Sequence, residues 1–254
     1  MERILNLIAS RSQQLSANPF CQWILEQNDQ QTIPQQFSFS PSMLYFIISF
    51  KDILEHLSYS NPQNEIEKMI NVHCDEDKNH WMWYLSDLNT LGYEQALNKN
   101  NWEGLVRNIW SDANKPSRDL VYLIIHEVKK HQSPIASLAI IECIESTFGV
   151  FMSTLKKRYN THPHYAELLY FGQNHEEQEM NHSLGHWIDQ YDENAVQMNH
   201  DHFLKTIELK NEEYVQISKT IHNIYDQFEI VFRSWLANKD LYKSTHQKHS
   251  DLRI

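Results

Sequence analysis

SPIASLAIIECIESTFGVF, residues 133–151, decides what kind of molecule this is. Ser133-Pro134 is a helix start: a capping hydroxyl, then a proline at the first helical position, where its missing N–H costs nothing. Leu138, Ile141, Ile144, Phe148 and Phe151 then recur at intervals of three and four, a helical period. The segment is nearly all apolar except for Glu142 and Glu145, one turn apart. Carboxylates are rarely buried unless paired or bound to metal. The stretch therefore predicts a long core helix with two acids that need a reason to be inside.

Working outward, the same signals repeat. Ser40-Pro41 opens a helix through Leu44, Ile47, Phe50, Ile53 and Leu57. Asn61-Pro62 opens another, read as continuing through Ile70, Trp81, Tyr84 and Leu88 to a stop at Gly92. Further helices are expected over 2–28 (broken near Pro19), 117–131, 164–172, 175–190 and 203–238, with a loop at the Gln-rich stretch before Ser40 and shorter pieces over 93–116. No alternating strand pattern and no fixed-period repeat is present. Five Gly and seven Pro in 254 residues are too few for a turn-rich β fold. The expectation is an all-α bundle of about seven or more helices, a single domain over 1–245 with a frayed tail over 246–254.

Composition narrows the function. Apolar residues are 41% and aromatics 12%, enough to bury a core and exclude global disorder. A formal charge of −11 disfavours nucleic acid or an anionic membrane as the main partner. No GxGxxG or GxxxxGK phosphate loop occurs. The three cysteines, Cys21, Cys74 and Cys143, are odd in number and lack CxxC spacing, so no disulfide framework is expected. The N-terminus has no apolar signal core, and no run of 18 apolar residues was found, so a soluble cytoplasmic protein is expected.

The fifteen histidines decide nothing by number, but two of their spacings do. In HEEQEMNH, residues 175–182, His175, Glu179 and His182 fall within an arc of about 60° on one helix face. HCDEDKNH, residues 73–80, repeats the spacing with His73, Asp77 and His80, and Glu76 lies one turn before His80. About 0.1 matches to this template are expected by chance in such a chain; two are present. Imidazoles and carboxylates presented together suit iron, manganese or zinc, and the absence of thiolates favours Fe(II) or Mn(II). The plain alternative is that such histidines sit on the surface or in the core. His162 and His164 read as loop residues, His186 as an extension of the 175–182 face, and Trp81, Trp83 and Tyr84 as core. Cys74 and Cys143 read as small buried apolar residues.

HCDEDKNHWMWYLSDLNTLG (73–92), followed by an apolar helix with Glu145 and then HxxxExxH, resembles the haem-oxygenase-like di-iron oxidases and oxygenases. That family shares its helical fold with haem oxygenase and the thiaminase-like TenA proteins. The resemblance covers roughly residues 40–240. It implies a haem-oxygenase-like fold and two irons, with manganese also possible. By residue, it implies His80 and either Glu76 or Asp77 as ligands from the first helix, with Glu76 ranked ahead and His73 an extra. From the middle helix it implies Glu145, with Glu142 in reserve, and from the last helix His175, Glu179 and His182. The implied partners are O2, a small organic substrate and an external electron donor; a homodimer is compatible. The implied reaction is oxidation or oxygenation of that substrate. The alternative is a metal-free TenA-like enzyme or small-molecule binder of the same fold; a haem-handling protein and a non-enzymatic partner protein are more distant options.

Overall fold

A computed structural model describes residues 1–28, 30–93, 102–173, 175 and 207–241. Among these, every regular element is helical. In chain order they are α1 (Glu2–Leu15), α2 (Pro19–Leu25), α3 (Ile33–Gln36), α4 (Leu44–Leu57), α5 (Glu65–Asp77), α6 (His80–Thr90), α7 (Trp102–Ile109), α8 (Lys115–Lys130), α9 (Pro134–Tyr159) and α10 (Asn211–Asn238), with short 3-10 turns between some of them. The all-α expectation holds.

Local chemistry sets the ends. The Asn18 side chain accepts from the Phe20 N–H at 3.0 Å, starting α2 at its proline. A capping box between Thr32 and Gln35 makes a helical turn where a loop was expected. Asn64 caps α5 by accepting from the Glu67 N–H at 3.0 Å. Gly92 adopts φ 75°, which a side chain would strain, and the Tyr93 N–H reaches back to the Leu88 carbonyl at 2.7 Å.

Two departures matter for the site. The helix expected from Asn61 through Leu88 breaks: Asp77 ends α5, Asn79 sits at φ −113°, ψ 0°, and His80 begins α6. His73 and Asp77 thus lie on one helix and His80 on another. The second departure is 164–172, expected helical. Only Pro163–Tyr165 forms a 3-10 turn, and the rest is bend and turn. The reason is Asp87 on α6, whose carboxylate accepts from the N–H groups of Leu169, Tyr170 and Phe171 at 2.7, 2.8 and 2.9 Å. Those donors serve a distant acceptor instead of a helix ladder.

Helix α9 is the central one. It packs against α1, α2, α5, α8 and α10, and most of its side chains through Tyr159 are buried. Its 18-residue window of mean hydropathy 1.7 is long and apolar enough to cross a membrane, but 72% of that window is buried within the protein. The hydropathy is that of a core helix, and Glu142 and Glu145 interrupt it, so no unbroken run of 18 apolar residues occurs there. Around it, Phe20 touches Phe39, Phe151, Phe232 and Trp235 with ring centroids 5.0–6.1 Å apart, mostly edge-on. The buried apolar residues from α1 to α10 form one contiguous cluster.

Candidate metal centre

Three helices bring polar side chains to one place beside that core. On α5, His73 and Asp77 are separated by four residues and share a face. The His73 Nε2 lies 3.2 Å from Asp77 Oδ2 and 3.2 Å from Glu145 Oε1, which α9 supplies. All three residues are buried, and one donor atom from each lies within 4.8 Å of the others. Two ligands at right angles, each about 2.1 Å from one cation, stand about 3.0 Å apart. The observed separations are of that size.

The other Asp77 oxygen looks the opposite way. Oδ1 is 3.6 Å from His80 Nδ1 at the start of α6. His80 Nδ1 is in turn 3.2 Å from His175 Nε2. His175 is almost fully buried, and its Nδ1 lies 2.6 Å from the Tyr170 carbonyl. A carbonyl only accepts, so Nδ1 carries the proton and Nε2 presents its lone pair toward His80. Trp83 stacks on the His80 ring at 4.5 Å between centroids, and Tyr170 packs on His175 at 4.7 Å. Both rings are thereby held in orientation.

Asp87 supplies the scaffold behind His175. By fixing the backbone of 169–171 it fixes the Tyr170 carbonyl that sets the His175 tautomer. Burial leaves the Asp87 carboxyl above its ordinary pKa, and the three N–H donors and His175 offset only part of that rise. Asp87 and Tyr170 carried no signal in the sequence reading. The available clue was that Asp87 follows His80 by seven residues, two helical turns on the same face.

The remaining candidates fall as follows. Of the two first-helix acids, Asp77 joins the described cluster; Glu76 is half-buried and is not among its donors. His73, expected only as an extra, is in the middle of it. Glu145 is in the cluster, whereas Glu142, one turn earlier, is buried elsewhere on α9, and burial pushes its carboxyl up to about 8. His175 is placed beside His80; Glu179 and His182 lie outside the described residues, as does His186. Cys74 and Cys143 are buried with thiol pKa values raised chiefly by desolvation, as expected of inert packing residues. His162 and His164 lie in the turn before the bend.

A pocket opens onto this group. Asp77, His80, Glu145 and His175 line it together with Phe148 and Tyr170. Three imidazoles and two carboxylates converging in an apolar setting would suit a divalent cation, which offsets the cost of burying the acids. Compared with protein-family models and with curated proteins, the sequence matches none.

Proposed function

We propose that the chain is a non-haem metal oxidase or oxygenase that holds a pair of divalent ions, iron by the character of its donors, and acts with O2 on a small organic substrate. The observation that carries this reading is Asp77. One of its oxygens lies 3.2 Å from His73, which is itself 3.2 Å from Glu145, and the other lies 3.6 Å from His80, which is itself 3.2 Å from His175. A buried carboxylate with an imidazole near each of its oxygens would suit holding divalent ions, whose charge would offset the burial of the acids. The oxygen- and nitrogen-rich, thiolate-free donor set supports Fe(II), with Mn(II) next. Glu179 and His182 of the same HxxxExxH spacing, and the half-buried Glu76, are the further ligands this reading assigns. The resemblance to haem-oxygenase-like di-iron enzymes supports the same assignment.

A reduced iron pair would supply the electrons for O2, and an external donor would restore them. The chain's own residues have other tasks. Asp77 and Glu145 balance charge, His73, His80 and His175 present neutral nitrogens, and the Tyr170 carbonyl keeps the His175 proton on the far side of the ring. Phe148 and Tyr170 line the pocket beside the acids and would limit water there.

Anaerobic loading with Fe(II), followed by desalting and metal analysis, tests the proposal. Two irons per chain are expected, with O2 consumed on exposure to air. Asp77→Asn, which keeps the shape but replaces one oxygen donor by an amide nitrogen, should lower the content to about one or fewer. Iron near zero in a folded wild-type protein would overturn the proposal.

A further inference from the structure

Helix α6 buries one face and shows the other. His80, Tyr84, Asp87 and Leu88 point into the protein. Met82 and Leu85, one turn apart, are 47% and 39% exposed, and Ser86 and Asn89 share their side of the helix. Leu169, 41% exposed, borders α6, because its N–H is bound to Asp87. The outer face carries no charge. Over the fifteen residues 79–93 the one formal charge is Asp87, which is buried. In a chain that is 22% charged, with a net charge of −11, that is an exception. Exposed methionine and leucine without charge is the composition of a contact surface.

Trp83 joins this face to the metal centre. It is half-buried at the edge of the face, next to Met82. Its ring stacks on His80, with centroids 4.5 Å apart and planes within 20°, and meets His175 edge-on at 5.5 Å. Tyr170 also packs on His175 but is buried, whereas Trp83 reaches the surface as well. Asp77, His80, Glu145 and His175 are themselves buried, so electrons from outside have to cross a layer of protein to reach them.

We propose that the outer face of α6 is where an electron-carrying protein docks, presenting its redox group to Trp83 inside an uncharged collar of Met82, Leu85 and Leu169. This rests on the metal-centre reading above. Each encounter passes one electron: the carrier's group is oxidised by one, one ferric ion is reduced to ferrous, and no bond forms or breaks. Trp83 narrows the gap and keeps its own redox state. The patch is far smaller than the about 800 Å² per partner that a stable dimer buries, and it fits the small, short-lived contacts through which electrons are passed.

Two probes locate the entry point: lumiflavin, which is neutral, and flavin mononucleotide, which adds an anionic phosphate. Each is reduced by one electron in a light flash, and the loss of ferric absorbance in iron-loaded, re-oxidised protein is followed. At about 0.1 M ionic strength local charge dominates, so an uncharged entry face should give rates within about twofold of each other. Met82→Glu combined with Leu85→Glu should slow the phosphate-bearing flavin about threefold relative to lumiflavin, and about 1 M salt should abolish the difference. Val215→Glu combined with Ile230→Glu, at exposed positions of α10, adds the same charge and should leave the ratio unchanged. A second readout needs no metal. In chelator-treated protein, photo-excited flavin takes an electron from any tryptophan it touches and polarises that indole's NMR signal. The signal that Trp83→Phe removes should be present, and the α6 charges should weaken it more for flavin mononucleotide than for lumiflavin.

A rate ratio untouched by the α6 charges, or moved equally by those on α10, overturns the proposal and leaves the metal centre standing. So does the absence of a Trp83 signal in the metal-free protein. A wild-type dimer in sedimentation that the α6 charges split into monomers assigns the face to a second copy instead. Iron near zero in the folded wild-type protein removes the electron's destination and overturns both readings.

Discussion

Glu142 and Glu145 are three residues apart on the same helix and live in different surroundings. Glu145 lies 3.2 Å from His73. Burial alone pushes Glu142 up to about 8 from an ordinary 4.5, so near neutral pH it keeps its proton. The sequence shows that both acids sit in an apolar stretch. It does not show which faces His73, because that depends on where α5 lies. Glu142 has a consequence for stability in the metal-free protein. In the unfolded chain its carboxyl ionises near 4.5, while in the native state it holds its proton to about 8. Between those values the unfolded state binds fewer protons, so stability falls as pH rises from about 4.5 to about 8. Glu142→Gln is neutral throughout and should flatten that decline. In urea titrations of chelator-treated protein, the variant should gain about 1–3 kcal/mol over wild type between pH 5 and pH 8. Parallel pH profiles for the two proteins would count against a protonated Glu142.

At the level of elements, the sequence was most legible where the deciding groups are close together. Ser-Pro starts, the break at Pro19 and the stop at Gly92 are written within a few residues, and the helices obey them. The break between Asp77 and His80 and the unwound 166–172 segment are not local. The second depends on Asp87, 82 to 84 positions away from the N–H groups it binds. A helical period over 164–172 competes with three charge-assisted hydrogen bonds, and the hydrogen bonds prevail. Asp87→Ala should expose their worth. It leaves two buried donors and one part-buried donor without an acceptor, at a cost of about 2 kcal/mol or more by chemical denaturation. It also frees the Tyr170 carbonyl that orients His175, so iron affinity, measured by competition with a chelator, should fall at least about 10-fold. A loss of stability with unchanged iron affinity would mean that the segment supports the fold without positioning His175.

For the whole molecule, scarce glycine and proline and helical periods sufficed to predict an all-α bundle. Spacing picked out His73, Asp77, His80 and His175, and an apolar setting picked out Glu142 and Glu145, with Glu76 ranked ahead of Asp77; which of them would meet was not legible, since they come from α5, α6, α9 and the stretch after residue 173. Their meeting is a property of the packed bundle, and metal binding is therefore linked to folding. An ion held by donors about 100 positions apart in the chain binds the native state and finds no comparable site in the unfolded one. At a free concentration about 100 times its dissociation constant, such an ion stabilises by about 2.7 kcal/mol. For a chain of this size that corresponds to a rise in thermal midpoint of about 5–10 °C. Fe(II) added anaerobically should produce this rise, Mn(II) a similar one, and a chelator should reverse both. Asp77→Asn should lose most of the increment while keeping the midpoint of the metal-free protein within a few degrees, because removing one charge from the group at His73 also removes part of the repulsion with Glu145. If neither ion moves the wild-type midpoint, the gathered side chains are a buried polar network that stabilises the junction of α5 and α9 and no more.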